Sequence, residues 1–202
     1  MSTLGKYFGV FLLFTVVSCR VKELKPFEYV KWIDDDANGL NVKKEIGEYE
    51  FSVIYKPLEY IVLMETKDQN IKKDFLQKRM KELGNMQYFT FRVKSKKNRE
   101  IMRAGIKSEN EYYSRLEYFV SDAQDDISLI EGKDTLSCLL YHFERNYGVS
   151  PSNSIVLGFE KDRLENSYDK TLVFNDHVLG VGPICLTLKN NDINKLPALI
   201  TY

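Results

Sequence analysis

Apolar residues recur along this chain with two different periods, and the change between them divides it. From Pro26 to about Ile33 the positions Phe27, Val30 and Trp32/Ile33 share a helical face behind a proline tolerated in a first turn. Trp32, the only tryptophan, reads there as a core anchor. Val42–Ile46, Gly47 and Tyr49–Lys56 read as a hairpin. In its second arm Tyr49, Phe51, Val53 and Tyr55 alternate with Glu50, Ser52 and Ile54, the mark of a half-buried strand. Pro57 opens an apolar run, Leu58–Met64, that suits a short helix with Glu59 in its first turn and suits a strand nearly as well. Residues 70–83 give the clearest helix: Ile71, Phe75, Leu76, Met80 and Leu83 fall on one face, Asn70 can cap, and Gly84 stops it. Gln87–Ser95 returns to period two, and Glu109–Val120 to a helical spacing of Tyr112, Leu116 and Phe119.

From Ile127 the pattern is almost wholly that of strands: Ile127–Ile130, Leu136–Arg145, Ser154–Phe159, Leu172–Phe174, Val178–Val181 and Ile184–Leu188. The turn-rich links between them are short and demand antiparallel neighbours. A turn of helix at Asp192–Leu196 and a docking tail, Pro197–Tyr202, close the chain. The expected fold class is α+β: mainly antiparallel β, as a sandwich or curved sheet, with two or three short helices. No repeat or flexible linker interrupts it, so residues 26–202 are expected to form one domain.

The N-terminus follows another logic. Lys6 precedes an apolar run from Tyr7 to Val17, of signal-peptide length and about half of what a membrane-spanning helix needs. Val16-Val17-Ser18-Cys19 follows, with the small Ser18 before the thiol. This stretch resembles the signal peptide and lipobox of a bacterial lipoprotein, and the whole chain looks like a small lipoprotein of the bacterial envelope. The resemblance implies that residues 1–18 are a signal peptide and that Cys19 is the lipidation site and mature N-terminus. Residues 19–25 become a lipidated tether with a reach of roughly 20 Å. Several acyl chains of the palmitate type on Cys19 anchor far better than one reversible chain. Arg20, where an aspartate would favour retention in the inner membrane, implies the outer membrane. An uncleaved apolar anchor or a buried first strand remains the other reading of the run.

Composition changes this picture little. Formal net charge is zero, which excludes a global field steering the protein to nucleic acid. Tyr and Phe, 13 and 12 in number, favour strands. Of three cysteines, lipidation of Cys19 leaves Cys138 and Cys185, either as a disulfide or as packed thiols. Six basic residues, Arg92, Lys94, Lys96, Lys97, Arg99 and Arg103, lie close together and fit either acidic head groups or a solvated strand end. Asp34, Asp36, Asn38, Gly39, the Leu40 carbonyl and Glu45 match the calcium-loop pattern D-x-[DN]-x-[DN]-G-x5-E. They depart from the EF-hand at Asn41 and in the strand expected after Glu45. A helix stop and turn with a solvated acidic cluster explains the same residues.

Catalytic chemistry has few carriers. Only His142 and His177 are present, and no HExxH, CxxC pair, GxSxG or P-loop occurs. In one continuous strand Cys138 and His142 stand roughly 13 Å apart, too far for a nucleophile and its base. Asp176-His177 offers a base with an orienter, although neighbours in a tight turn point apart. The leading expectation is therefore a non-enzymatic interaction or assembly module with no cofactor, no metal and no catalytic residues, held to the bilayer by Cys19 and meeting an envelope protein. A periplasmic hydrolase using His142 or His177, and a calcium module at Asp34–Glu45, are the alternatives.

Overall fold

The computed structural model describes residues 22–147, 149–161 and 167–202. Cys19 and the leader lie outside the described residues. The described chain is a two-sheet sandwich with helices at its margins, an α+β architecture dominated by antiparallel pairing.

The chain enters through β1 (Glu23–Leu24), α1 (Pro26–Asp34) and a 3-10 turn at Asp36–Asn38. The hairpin β2 (Asn41–Ile46) and β3 (Tyr49–Lys56) follows, then α2 (Leu58–Thr66), α3 (Lys73–Glu82) and β4 (Met86–Ser95). After α4 (Glu109–Val120) come β5 (Ile127–Glu131), β6 (Asp134–Ser137), β7 (Leu140–Glu144), β8 (Ser152–Glu160), β9 (Lys170–Asn175), β10 (Pro183–Leu188), α5 (Asn190–Ile193) and β11 (Ala198–Leu199). The large sheet runs β2-β3-β4-β8-β7 and the small one β10-β9-β5-β6, both antiparallel.

Alternation sets which side chains meet between the sheets. Phe51, Val53 and Tyr55 of β3 register with Val93, Phe91 and Phe89 of β4, and Phe89 and Phe91 with Leu157 and Ile155 of β8. Leu129, Leu172, Phe174, Ile184 and Leu186 supply the small sheet's inner face, all buried. Phe91 meets Phe174 edge-on across the gap at 5.4 Å, and Phe119 of α4 stacks on Phe143 at 6.0 Å. Helices α1–α3 pack at the end where β3 leaves and β4 enters, through Tyr29, Ile33, Tyr60, Val62, Leu63 and Leu76.

Three elements differ from the sequence pattern. The run Leu136–Arg145 is not one strand. It breaks at Cys138–Leu139, and β6 and β7 belong to different sheets. This is a corner, tied by Leu139 N–H donating to the Gly158 carbonyl (2.8 Å) and Gln124 Nε2 donating to the Cys138 carbonyl (2.9 Å). Val178–Val181 is a loop, because the buried Asp176 carboxylate accepts N–H bonds from Val178, Leu179 and Val181 at 2.7–3.0 Å. The third helix starts at Lys73, not Asn70: the Ile71 carbonyl accepts from Tyr202 N–H (3.0 Å), and Lys73 N–H donates to the Tyr202 carbonyl (3.2 Å). The C-terminal tail thus docks as expected, adding the parallel pair β1–β11.

Candidate functional site

Outward-facing positions of the large sheet form rows across the strands. Lys56, Tyr88, Gly158 and Leu140 make one row, Thr90, Val156 and His142 the next, and Arg92, Ser154 and Glu144 the third. Pro57 turns the chain out of β3 into α2, and Tyr60, Ile61, Met64 and Glu65 of that helix, with Leu83, form a wall beside these rows. Between wall and sheet lies a groove of about 740 Å3, inside the range of roughly 300–1,000 Å3 usual for small-molecule sites. Its lining is mostly apolar, with Ile61, Met64, Leu83, Leu140 and Val156 contributing. Gly158 keeps the floor low, since a Cβ there would stand 2.9 Å from Leu140 Cβ and 2.6 Å from Met86 Cε.

The groove's charges are unequally satisfied. Lys56 Nζ lies 3.2 Å from Asp34 Oδ1 and 4.0 Å from the Tyr60 ring centre, and the Tyr60 hydroxyl donates to Asp34 at 3.0 Å. Burial lowers the Lys56 pKa against the opposing pull of Asp34, and the nearby Arg92 charge lowers it further. Glu65 is held by Arg79 at 2.8 Å. Arg92 has only a long bond from Nε to Ser154 Oγ (3.4 Å), and no carboxylate pairs with it among the described residues.

The calcium-loop residues do not converge. Asp34 goes to Lys56 and Tyr60, Asp36 to Lys43 and Asn41, and Glu45 to Lys96 at 2.9 Å. Asn38 Nδ2 donates to the Trp32 carbonyl at 2.9 Å, and Asp35 caps the 3-10 turn. Gly39 makes the turn at φ +76°, where a Cβ would also strike the Asp192 side chain. Among the described residues no three His, Cys, Asp or Glu side chains cluster as metal ligands. The motif matched because a helix stop, an Asx turn and a glycine corner use the same residue types. Half of the basic stretch is likewise neutralised: Lys96 pairs with Glu45, Lys97 with Glu48, and Arg103 with Glu100 and Glu109.

Cys138 and Cys185 are both free; the first is buried and the second exposed on β10. The sheet switch between Cys138 and His142 separates them: Cys138 Sγ faces the Leu140 carbonyl (3.1 Å), and His142 is exposed on β7. Burial pushes the Cys138 thiol up to about 11, the reverse of an activated nucleophile.

His177 finds a carboxylate, though not its neighbour's. Asp176 is occupied by the loop amides, while His177 Nε2 lies 3.2 Å from Asp126 Oδ1. The other Asp126 oxygen accepts the Tyr118 hydroxyl at 2.7 Å. Burial and this bond hold the Tyr118 pKa above its usual value, so the hydroxyl stays a donor. His177 is 67% exposed and lines a shallow concavity with Asn110, Glu111, Ser114, Arg115 and Val178. Asp126 reads as part of an acidic turn in the sequence, and the β5–β9 pairing, with Ile127 opposite Phe174 and Asn175 N–H donating to the Asp126 carbonyl, brings it to His177. A larger hollow of about 820 Å3 beside β9 is lined by charges that satisfy one another, Lys189 with Asp169 and Lys195 with Asp192.

The chain matches no family model, no curated protein and no solved structure in the three comparisons made. The geometry alone therefore ranks the sites. The outer-face groove combines apolar walls with a guanidinium that has no carboxylate partner among the described residues, a binding arrangement. The His177–Asp126 pair offers an oriented base on an open surface.

Proposed function

We propose that this chain is a lipid-anchored protein of the bacterial cell envelope whose sandwich acts as a non-enzymatic binding module. The observation that carries the binding part is the groove between α2 and the outer face of the large sheet, where apolar walls surround an Arg92 that no carboxylate neutralises among the described residues. The anchoring part rests on Lys6, the apolar run Tyr7–Val17 and the Val16-Val17-Ser18-Cys19 box. Acylated Cys19 holds the domain to the bilayer through a tether ending in β1, and Arg20 favours the outer membrane. An envelope protein is the macromolecular partner expected of the anchored domain as a whole.

The anchor is tested with Cys19→Ala. The variant is expected to carry no lipid label, to be released from the membrane fraction and to accumulate as unprocessed precursor. Normal processing and an unchanged lipid label on this variant would refute lipidation. The binding module is tested by replacing Met64 with a photocrosslinking residue in the full chain. Crosslinks that vanish when Val156→Arg blocks the groove support the reading; crosslinks indifferent to that change exclude the groove as the binding surface.

A second reading, a hydrolase, rests on the His177–Asp126 contact. It requires hydrolysis of a neutral ester by the purified protein that His177→Gln abolishes while Asp176→Asn, at the loop carboxylate, alters only stability.

A further inference from the structure

We infer that the groove on the large sheet takes an amphiphile with a single anionic head and an unbranched hydrocarbon tail, the head on Arg92 and the tail along α2. This rests on the reading of the groove as the module's binding surface and specifies what binds there.

Charge comes first. Arg92 and Lys56 line the same groove, close enough that Arg92 helps to depress the Lys56 pKa. Lys56 already has Asp34, and the remaining groove carboxylate near α2, Glu65, is taken by Arg79. An anionic oxygen beside the Arg92 guanidinium would meet a forked donor and relieve the repulsion between the two cations. The number of charges follows from Glu144. It stands in Arg92's row with Ser154 between them, two strand spacings or roughly 10 Å away. A second negative charge on the head would face that carboxylate, so a monoanion fits better than a dianion.

The tail follows from the walls. Ile61, Met64, Leu83, Leu140 and Val156 make most of the exposed lining apolar, which suits hydrocarbon, while among the groove's hydroxyls Tyr88 already donates to the Leu83 carbonyl and Ser154 already accepts from Arg92. Strand addition is closed along the centre of the groove floor, where β4 and β8 are each paired on both sides, and the sheet's open edge there is the short β7 at the groove's rim. Position agrees: β1 leads directly into α1, which packs on the wall helix α2, so a tether anchored at Cys19 would bring this part of the domain near the acyl layer. A carboxylate head and a phosphodiester head share the required chemistry.

The test uses the full acylated chain in lipid nanodiscs and two photoreactive probes, a diazirine-bearing decanoate and a diazirine-bearing lysophosphatidylglycerol. Labelling is mapped by mass spectrometry to 56–65, 83–92 and 140–158. The expected result is groove labelling by at least one probe, lost about tenfold in Arg92→Gln and competed by unlabelled decanoate far better than by decanol or decyltrimethylammonium. The probe that labels more strongly names the source, a free fatty acid or a phospholipid. Val156→Glu, which puts a negative charge on the floor, is expected to suppress labelling without changing the melting temperature. Equal labelling of wild type and Arg92→Gln, equal competition by decanol, or label confined to the chain beside Cys19 overturns the inference. Crosslinks between two copies through Met64 would instead make the groove a self-association surface, and overturn it too. Where Val156→Arg abolishes envelope crosslinking but neither lipid probe labels the groove, the binding module stands and only the ligand assignment fails.

Discussion

The two sheets solve the same packing problem with different chemistry. The inner face of the large sheet is apolar and aromatic through its centre: Phe51, Phe89, Phe91 and Phe159 are fully buried and in ring contact with one another or with neighbours. The small sheet places a charged pair inside. Glu131 and Lys170 stand directly opposite on β5 and β9, both buried, and Lys170 Nζ donates to Glu131 Oε1. The outer faces differ as well. The large sheet carries helix α2 and the groove; the small one is open and carries Thr171, Thr187 and Cys185. A sandwich needs only one sheet with a continuous apolar interior, and the other tolerates polar ties provided each is satisfied.

The sharpest test compares the two interiors. Phe91→Ala and Lys170→Met are each expected to cost about 3–5 kcal/mol in urea unfolding, the first by opening a cavity and the second by stranding Glu131. Only the second is expected to be rescued: Lys170→Met with Glu131→Leu should return close to wild type. A double variant as unstable as the single one would show that the charged pair itself holds the small sheet. Next, Asp176→Ala removes the acceptor of three loop amides and is expected to cost about 2–3 kcal/mol, with faster hydrogen exchange at Val178, Leu179 and Val181. Unchanged exchange there would mean that the loop is ordered by packing alone. In the large sheet, Gly158→Ala crowds Leu140 and Met86 and is expected to cost about 1–2 kcal/mol.

The smallest effect separates the two thiols. Alkylation at neutral pH is expected to modify Cys185 and spare Cys138. Because burial favours the neutral Cys138 thiol, its contribution to stability is complete below its ordinary value of about 9 and is lost as pH rises through about 11. Cys138→Ser should flatten stability across that window; equal labelling of both cysteines would contradict the corner geometry at β6–β7.

Period carried far in this chain. Alternation in Tyr49–Lys56 and Gln87–Ser95 placed the core strands, and helical spacing placed α1 and α4 close to their observed ends. It failed where side chains competed for backbone groups. Leu136–Arg145 shows an unbroken strand pattern, but nothing local says that Leu136 and Tyr141 face different sheets. Val178–Val181 has strand composition, yet the carboxylate of Asp176 claims its amides. The groove was half visible: Val156 and Leu140 are apolar at positions that alternation assigns to solvent, as would suit a strand covered on both faces.

The sequence by itself determined the local elements and the nature of the core, because burial of a face imposes a period that residues display one by one. The resemblance around Cys19 is also wholly local, a matter of run length and small residues before a thiol. Tertiary structure alone decided which charges remained unpaired. Asp34, Asp36 and Glu45 look like a ligand set in line and are dispersed to three different lysines, while Arg92 looks like one of six neighbouring cations and, among the described residues, is left without a carboxylate in a groove. Electrostatic partners are set by distance in space, and folding brings residues of distant segments within reach while parting those adjacent in the chain.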